Sequence, residues 1–358
     1  MRTLLLLSLV ASSAGAQVLR VAELTSEQIR ALDRDKTVVL LPAGVLEQHG
    51  PHLPSYADGY QNERMTDAIA EAIAQRSGWK ALVFPPIPLG TAGANEIGGS
   101  YSWPGTYSIR ASTLRSVFMD LADELGTQGF RWAFIIHGHG APRHNVALDE
   151  VEDYFRDTYA GRMIHLMGRE PDMSAYDAEY ARRITTPFGK EDGDSPHAGI
   201  VETSIIAYLR PDLVAPSYKR LRSLTPAARD RLPEVAMAPG WPGYFGAPQF
   251  ATAEIGRFLV ETESREYVTL ATRILDGFDE RSVPRYADAI LAIPGVRAAN
   301  GRALEHERMI AKRQEDWVRH RAATQPRDSV DDSAVAAAKP PERNELRRLE
   351  QRSRQGLP

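Results

Sequence analysis

Short apolar runs alternate with longer amphipathic stretches through residues 26–208 of the chain. The short runs are typical of buried strands and lie at residues 37–41, 81–84, 131–136 and 162–167. The longer stretches carry apolar residues near helical spacing and predict helices at residues 59–73, 113–125, 145–154 and 199–209. Strands that alternate with helices indicate a mainly parallel sheet with both faces covered. We therefore predict an α/β fold, a three-layer α/β/α sandwich.

The two ends of the chain depart from this pattern. Residues 1–16 combine a basic Arg2, an apolar run and three small residues, which is the order of a secretory signal cleaved after Ala16; the alternative is a buried N-terminal helix. Residues 323–358 are polar, charged and free of aromatic residues, so they predict a flexible tail, although Leu346 and Leu349 could lie on one face of a short docking helix. The main domain then spans residues 17–322, in a periplasmic or secreted protein.

The segment after the predicted sheet is less regular. Residues 239–252, PGWPGYFGAPQFAT, are rich in proline and glycine and predict a long ordered loop near the functional site or at an oligomer contact. Residues 263–281 predict a further helix.

The composition restricts the classes of function. A formal net charge of −4 gives no reason to expect a nucleic-acid partner, because phosphate binding needs a clustered excess of Lys and Arg. No segment reaches the roughly 20 apolar residues that a membrane-spanning helix needs. The chain contains no cysteine, so any metal ion must be bound through His, Asp or Glu.

Ionisable side chains follow two of the predicted strands. Glu47 and His49 come after the first strand and His139 after the third, and ligands of parallel sheets bind beyond the carboxyl ends of the strands. Asp58 follows Glu47 across a loop that two prolines stiffen. Acids brought this close repel one another unless a cation lies between them, and carboxylates with neutral imidazoles suit Zn²⁺ or Mn²⁺.

A third cluster lies within residues 192–204, DGDSPHAGIVETS. Glu202 begins an apolar helix, where an uncompensated acid would carry a desolvation penalty unless it is paired or ligated. Asp194, Ser195 or Thr203 could simply cap this helix.

Each of these clusters has a plainer alternative. The Glu47 and His49 pair could belong to an ordinary surface loop. His137 could be a structural histidine that is hydrogen-bonded to the main chain. His144 could contact substrate, support a ligand or be an ordinary loop residue.

Four segments taken together resemble the creatininase family of metal-dependent amidohydrolases over residues 26–214. In chain order they are LLPAGVLEQHGPHLPSYAD, WPGTYS, IIHGHG and DSPHAGIVETS. The resemblance implies two divalent metal ions that share Asp58. It implies that Glu47 and His139 complete one site and that His49 and Glu202 complete the other.

The resemblance also suggests catalytic residues. His197 matches the proton-transferring histidine of the family, and Asp194 is a second catalytic candidate. Trp103 lies in the WPGTYS segment and is a candidate for substrate contact.

The departures from the family pattern concern the substrate. Ala141 stands where members that hydrolyse creatinine have a glutamate ligand, and Gly193 stands where a tryptophan covers creatinine, so creatinine itself is not the expected substrate. The loop that carries Arg143 and His144 looks inserted, and these two residues are candidates to select a substrate, one with negative charge in the case of Arg143.

We therefore predict an exported hydrolase of amide or cyclic-amide C–N bonds that uses two Zn²⁺ or Mn²⁺ ions on a small-molecule amide. By resemblance we expect a homo-oligomer. The alternative is a non-catalytic protein that binds a small metabolite or a partner on the same fold. A serine hydrolase is disfavoured, because the chain lacks a G-x-S-x-G segment.

Overall fold

A five-stranded parallel sheet forms the centre of the part of the chain that the computed structural model describes, residues 17–174, 178, 182, 191–193, 197–226 and 228–324. The predicted signal segment, residues 1–16, and residues 325–358 of the predicted tail lie outside this part. The strands are β1 (Gln17–Arg20), β2 (Thr37–Pro42), β3 (Lys80–Val83), β4 (Trp132–Ile136) and β5 (Arg162–His165), in the spatial order β1-β3-β2-β4-β5.

Helices cover both faces of this sheet. They are α1 (Ser26–Arg30), α2 (Ala57–Ala74), α3 (Ala94–Ile97), α4 (Ala111–Thr127), α5 (Pro142–Tyr159), α6 (Ile200–Leu209), α7 (Leu232–Ala236), α8 (Ala253–Leu275), α9 (Tyr286–Leu291) and α10 (Pro294–Thr324). Val39 and Leu41 of β2 pack with residues of α4 and α5, whereas Val38 and Leu40 pack with residues of α2 and α8. Because side chains alternate along a strand, β2 separates two cores. The predicted three-layer α/β/α sandwich is confirmed.

The predicted strands and helices are present, but main-chain geometry moves the ends of some of them. The predicted fourth strand ends at His165 and continues as a 3-10 turn over Leu166–Gly168. The predicted helix at residues 263–281 is α8, which begins earlier because Thr252 caps it and ends before Gly277, where φ is +98°. The sequence pattern did not predict the edge strand β1 or the helices α9 and α10.

The residues before Asn145 were predicted to form an inserted loop, but they belong to a helix. Pro142 is the first residue of α5, so Arg143 and His144 lie in the first turn of a helix. Proline favours this position, because its fixed φ suits a helix and its missing N–H would have no partner there.

Two neighbouring strands deliver the ionisable side chains to one edge of the sheet. β2 pairs with β4, so that Pro42 lies opposite Ile136 at their carboxyl ends. Glu47 follows β2 and His139 follows β4, while Asp58 lies in the first turn of α2. Glu202 lies in the first turn of α6. The topology thus directs residues from distant segments to one place.

Helix α10 continues the fold beyond the sheet domain. It begins against the turn Arg229–Arg231, since a Cβ atom on Gly295 would lie 2.5 Å from the carbonyl oxygen of Asp230. Further along, Glu307 accepts a hydrogen bond from the main-chain N–H of Ala111 at the start of α4. None of the helices in the described ranges is long and apolar enough to cross a membrane.

The contact between α6 and α8 predicts a stability effect. A Cβ atom on Gly256 of α8 would lie 1.9 Å from the carbonyl oxygen of Ser204 in α6. We expect Gly256→Ala to lower the free energy of unfolding by about 1–3 kcal/mol, because the added methyl group forces the helices apart. Denaturant unfolding monitored by circular dichroism measures this change.

Gly301→Ala is the matched control for this variant. Gly301 lies in α10, and a Cβ atom there would meet no atom within 4 Å. Its replacement should leave the free energy of unfolding unchanged or raise it by up to about 1 kcal/mol, since alanine has a higher helix propensity than glycine. Equal stabilities of the two variants would contradict the close α6–α8 contact.

Candidate metal centre

The first of two ligand groups consists of Glu47, Asp58 and His139. One ligand atom from each of the three side chains lies within 4.8 Å of the other two. Asp58 Oδ2 is 2.7 Å from Nδ1 of His139. Glu47 Oε1 accepts a hydrogen bond of 2.8 Å from the N–H of Ala94, and its Oε2 lies 3.8 Å from Nε2 of His139.

The second group consists of His49, His197 and Glu202, whose ligand atoms meet the same 4.8 Å limit. Glu202 Oε2 lies 3.7 Å from Nε2 of His49 and 3.9 Å from Nδ1 of His197. The two imidazole rings are tilted against each other with centroids 4.2 Å apart. His197 thus lies among the predicted ligands and not at a distance from them.

Asp58 connects the two groups. Its Oδ1 lies 3.2 Å from Nε2 of His49, while its Oδ2 contacts His139 in the other group. One carboxylate therefore faces both clusters with one oxygen each, which is the arrangement required of a bridging ligand.

The main chain fixes the orientation of all three imidazoles. The N–H groups that donate to carbonyl oxygens are Nδ1 of His49 to Glu47 at 2.9 Å, Nε2 of His139 to Thr91 at 2.8 Å, and Nε2 of His197 to Gln48 at 2.6 Å. Each ring then presents its other nitrogen to a carboxylate. This pattern sets the tautomer of a metal-binding histidine and raises the basicity of the free nitrogen.

The field at the centre favours positive charge. Burial alone would lower the pKa of His49 and His139, but hydrogen bonds to Asp58 and the neighbouring carboxylates raise it to about 10 and about 9. Burial opposes ionisation of Asp58, yet hydrogen bonds from His139 and His49 hold the pKa of this carboxyl well below its ordinary value. Burial raises the pKa of Glu202 to about 7, against the opposing charge of His49.

The residues fit a pair of divalent cations. Within the described residues, the buried Oε2 of Glu47 has no hydrogen-bond partner, although it points toward His139. Such an acceptor is costly to bury unless a cation or donor faces it. Carboxylate and imidazole ligands without thiolates are the set that suits Zn²⁺ or Mn²⁺.

Two loops hold the second group in place. Asp192 Oδ1 accepts hydrogen bonds from the N–H of Ile200, at the start of α6, and from that of Ala247. The N–H of Phe245 donates to the carbonyl oxygen of His197 at 3.0 Å. The glycine-rich segment 239–252 therefore lies beside the site, which was one of the two positions predicted for it. Asp192 orders this corner. Asp194, predicted as a cap or a catalytic residue, and the predicted cap Ser195 lie outside the described residues.

A cavity opens from the centre toward the C-terminal helices. Glu47, His139, His197 and Glu202 line its inner end. Its outer walls come from α3, α5 and the C-terminal part of the chain, through Glu96, Arg143, Arg229, Leu232, Tyr286, Ile290, Val296, Ala299, Asn300 and Ala303 among others. The sequence analysis missed the residues from 229 onward, because no motif marks them and only the fold brings them to the centre.

Arg143 lines this cavity, but the structure gives it a different role from the one predicted. Its guanidinium group pairs with Glu96 at 2.7 Å and with Glu307 of α10 at 3.3 Å. The side chain is 9% exposed, so its charge is already neutralised by protein carboxylates. Arg143 connects α3, α5 and α10 and is not free to receive an anionic substrate.

His144 and Trp103 are also placed away from the predicted substrate contacts. His144 is fully buried against the rings of His137 and His139, and in the described part of the chain neither of its nitrogens has a hydrogen-bond partner. Burial holds its pKa well below the ordinary value, so it is a neutral packing residue. Trp103 packs on Trp241 with ring centroids 5.4 Å apart and is not among the cavity residues.

The two departures from the family pattern have structural counterparts. Ala141 lines the cavity and adds no ligand to the first group. Gly193 has φ of +60°, and a Cβ atom there would lie 2.5 Å from Cγ2 of Thr225. A tryptophan at this position would be strained and would clash. Position 193 therefore does not accommodate an aromatic side chain.

Comparison with known proteins agrees with this geometry. The chain is 32% identical to a mycofactocin precursor peptide peptidase of Mycobacterium ulcerans over 61% of its own length and 78% of the relative. It is 28% identical to creatinine amidohydrolase of Pseudomonas putida, over 67% of this chain and 91% of the relative. A solved structure described as "Creatininase Mn" matches with a TM-score of 0.56 and 25% identity, over 72% of this chain and 99% of the solved chain.

The family profile described as "Creatininase: Creatinine amidohydrolase" matches residues 22–271, which include every residue of the two ligand groups. This match spans well over half of the chain and agrees with the resemblance of the four sequence segments. The chain belongs to the creatininase family.

Proposed function

We propose that this creatininase-family amidohydrolase hydrolyses an amide C–N bond at a centre built for two divalent cations, Zn²⁺ or Mn²⁺. The observation that carries the proposal is the convergence of two ligand groups on Asp58, each with a buried imidazole whose tautomer the main chain fixes. A protein that only binds a metabolite has no need of such a centre at the end of an open cavity.

The side chains at this centre form two cation sites that share one carboxylate. Glu47, Asp58 and His139 would hold one cation, and His49, Asp58 and Glu202 the other. When bound, two divalent cations lower the pKa of water and polarise a carbonyl group. Asp58 keeps the two sites at a fixed separation, because each of its oxygens already faces one group.

His197 is proposed to carry a proton from the attacking water to the leaving nitrogen of the amide. Its Nε2–H is bound to the Gln48 carbonyl oxygen, so the lone pair on Nδ1 faces Glu202 and the cavity. Burial holds the pKa of His197 well below the ordinary value, which keeps the ring neutral and able to accept a proton at Nδ1. The same nitrogen can then return the proton to the leaving nitrogen of the amide.

The substrate is proposed to be an amide other than creatinine. Gly193 and Ala141 depart from the creatinine-hydrolysing pattern, and one relative is named a peptide peptidase. Small peptides therefore belong among the amides to be tested, beside the cyclic and non-peptide amides predicted from the sequence. Export through residues 1–16 and assembly as a homo-oligomer stay predictions.

Removal of the bridging carboxylate tests the metal centre. We expect wild-type protein reconstituted with Mn²⁺ or Zn²⁺ to hold about two metal equivalents, as structural sites of this kind bind tightly. Asp58→Asn should hold fewer and should lower kcat/KM on any hydrolysed amide by more than about 100-fold, since metal polarisation supplies several kcal/mol. Elemental analysis and a screen of cyclic ureas, lactams, formamides and small peptides measure both quantities.

Asp67→Asn is the matched control, because Asp67 is an exposed acid on the same helix, α2. It should retain both metal ions and activity. Full activity in metal-stripped protein would contradict the proposed function. Protein with neither metal nor turnover would support the non-catalytic alternative.

Replacement of His197 separates a proton carrier from a metal ligand. His197→Ala should keep about two metal equivalents while kcat falls about 10²- to 10⁴-fold, the range that general acid–base groups contribute. The exposed His320→Ala variant of α10 serves as the control and should change neither quantity. Loss of one metal equivalent in His197→Ala would show that this histidine is a ligand.

A further inference from the structure

The cavity contains an arginine, Arg229, for which the described residues supply no carboxylate partner. Arg143 is paired with Glu96 and Glu307, and burial raises the pKa of Glu96 to about 7 although the charge of Arg143 lowers it. Arg229 also lines the cavity but has no ion-pair or hydrogen-bond partner among the described residues, and its Nε atom is buried. A half-buried guanidinium group without an acceptor is unfavourable unless a ligand supplies one.

The surroundings connect Arg229 to the metal centre. The charge of Arg229 acts on Tyr286, where it opposes the effect of burial, which raises the pKa of this phenol. The hydroxyl of Tyr286 is 3.4 Å from the carbonyl oxygen of Gly140, the residue that follows His139. Tyr286 thus connects Arg229 to the segment that carries His139, and all three residues line the same cavity.

The fold also holds Arg229 in position. It begins the short turn Arg229–Arg231, and the first residues of α10 pack so closely on this turn that only glycine fits at position 295. Arg231, two residues further on, points away and pairs with Glu234 at 2.6 Å. The two arginines of one turn thus differ in that one has a protein partner and the other faces the cavity.

The wall beside Arg229 is apolar. Leu232, Ile290 and Val296 line it together with the small residues Ala299 and Ala303. An apolar wall beside a few fixed polar groups, here Arg229, Tyr286 and Asn300, is typical of a pocket that holds an apolar group and orients the ligand through polar contacts.

We propose that the cavity binds amides that carry a free carboxylate beside an apolar side chain, such as N-acyl amino acids or the C-terminal end of a short peptide, and that Arg229 binds this carboxylate. A guanidinium group forms two parallel hydrogen bonds with a carboxylate, which gives both affinity and orientation. This inference rests on the proposed function for the fate of the amide, but the carboxylate site itself requires no turnover.

Binding to metal-free protein tests the site independently of catalysis. The probes are N-acetyl-leucine and N-acetyl-leucinamide, which differ only in the carboxylate, titrated with NMR detection. The acid should bind about 10- to 100-fold more tightly than the amide, because this is the gain in affinity that hydrogen bonds to a charged group provide. Metal-free protein is required because a carboxylate would also bind the metal ions.

Two variants assign the effect to one residue. Arg229→Met should abolish the preference for the acid. Arg229→Lys should retain part of it, since lysine keeps the positive charge but lacks the paired N–H donors of the guanidinium group. Arg231→Met removes the same charge from the same turn and should leave the preference intact. Thermal unfolding of each variant establishes that the fold is retained.

The outcomes separate this inference from the proposed function. Equal binding of acid and amide, or an unchanged preference in Arg229→Met, overturns the carboxylate site even where amide hydrolysis is established. A preference that depends on Arg229 in a protein without hydrolytic activity supports the site while the proposed function fails.

Discussion

The contact of one buried carboxylate with two imidazoles determines the geometry of the centre. Asp58 lies in the first turn of α2, where the positive end of the helix dipole stabilises a carboxylate, and its two oxygens face His49 and His139. Burial makes this acid unfavourable without positive charge on both sides. Whatever fills the centre must therefore supply charge to both oxygens, and the neighbouring strands β2 and β4 bring the imidazoles to the required positions.

Local patterns predicted the layered fold and placed Glu47, His49 and His139 at one edge of the sheet, whereas the resemblance of four segments to a known family added Asp58 and Glu202 to the ligand set. Apolar runs such as residues 37–41 are strands buried on both faces, and β2 and β4 end side by side. Glu47 and His139 then reach the same edge of the sheet without further assumptions. The carbonyl groups that orient the imidazoles could not be predicted, because main-chain acceptors leave no mark in a sequence.

Two substrate candidates were misassigned for different reasons, a partner distant in the chain for Arg143 and an unrecognised helix start for His144. Arg143 was expected to bind an anionic substrate, but its acceptor Glu307 is 164 positions away, on a helix that the sequence pattern did not predict. His144 was assigned to a loop, although Pro142 places it in a helix that points its ring into the core. Charge and motif indicate which residues can do chemistry, whereas only the fold determines whether a protein group has already satisfied them.

The metal centre and the proposed substrate cavity draw on different parts of the chain. The metal centre lies wholly within residues 22–271, where the family profile matches, whereas Tyr286, Ile290 and Val296 of the outer cavity wall lie beyond it. Position 193 leaves no room for a larger side chain, because Thr225 occupies that space. The proposed substrate contacts come from Arg229 and from apolar residues of α7, α9 and α10. Glu307 and Gly295 hold α10 to the rest of the fold, and neither is a metal ligand, so α10 is attached independently of the metal centre.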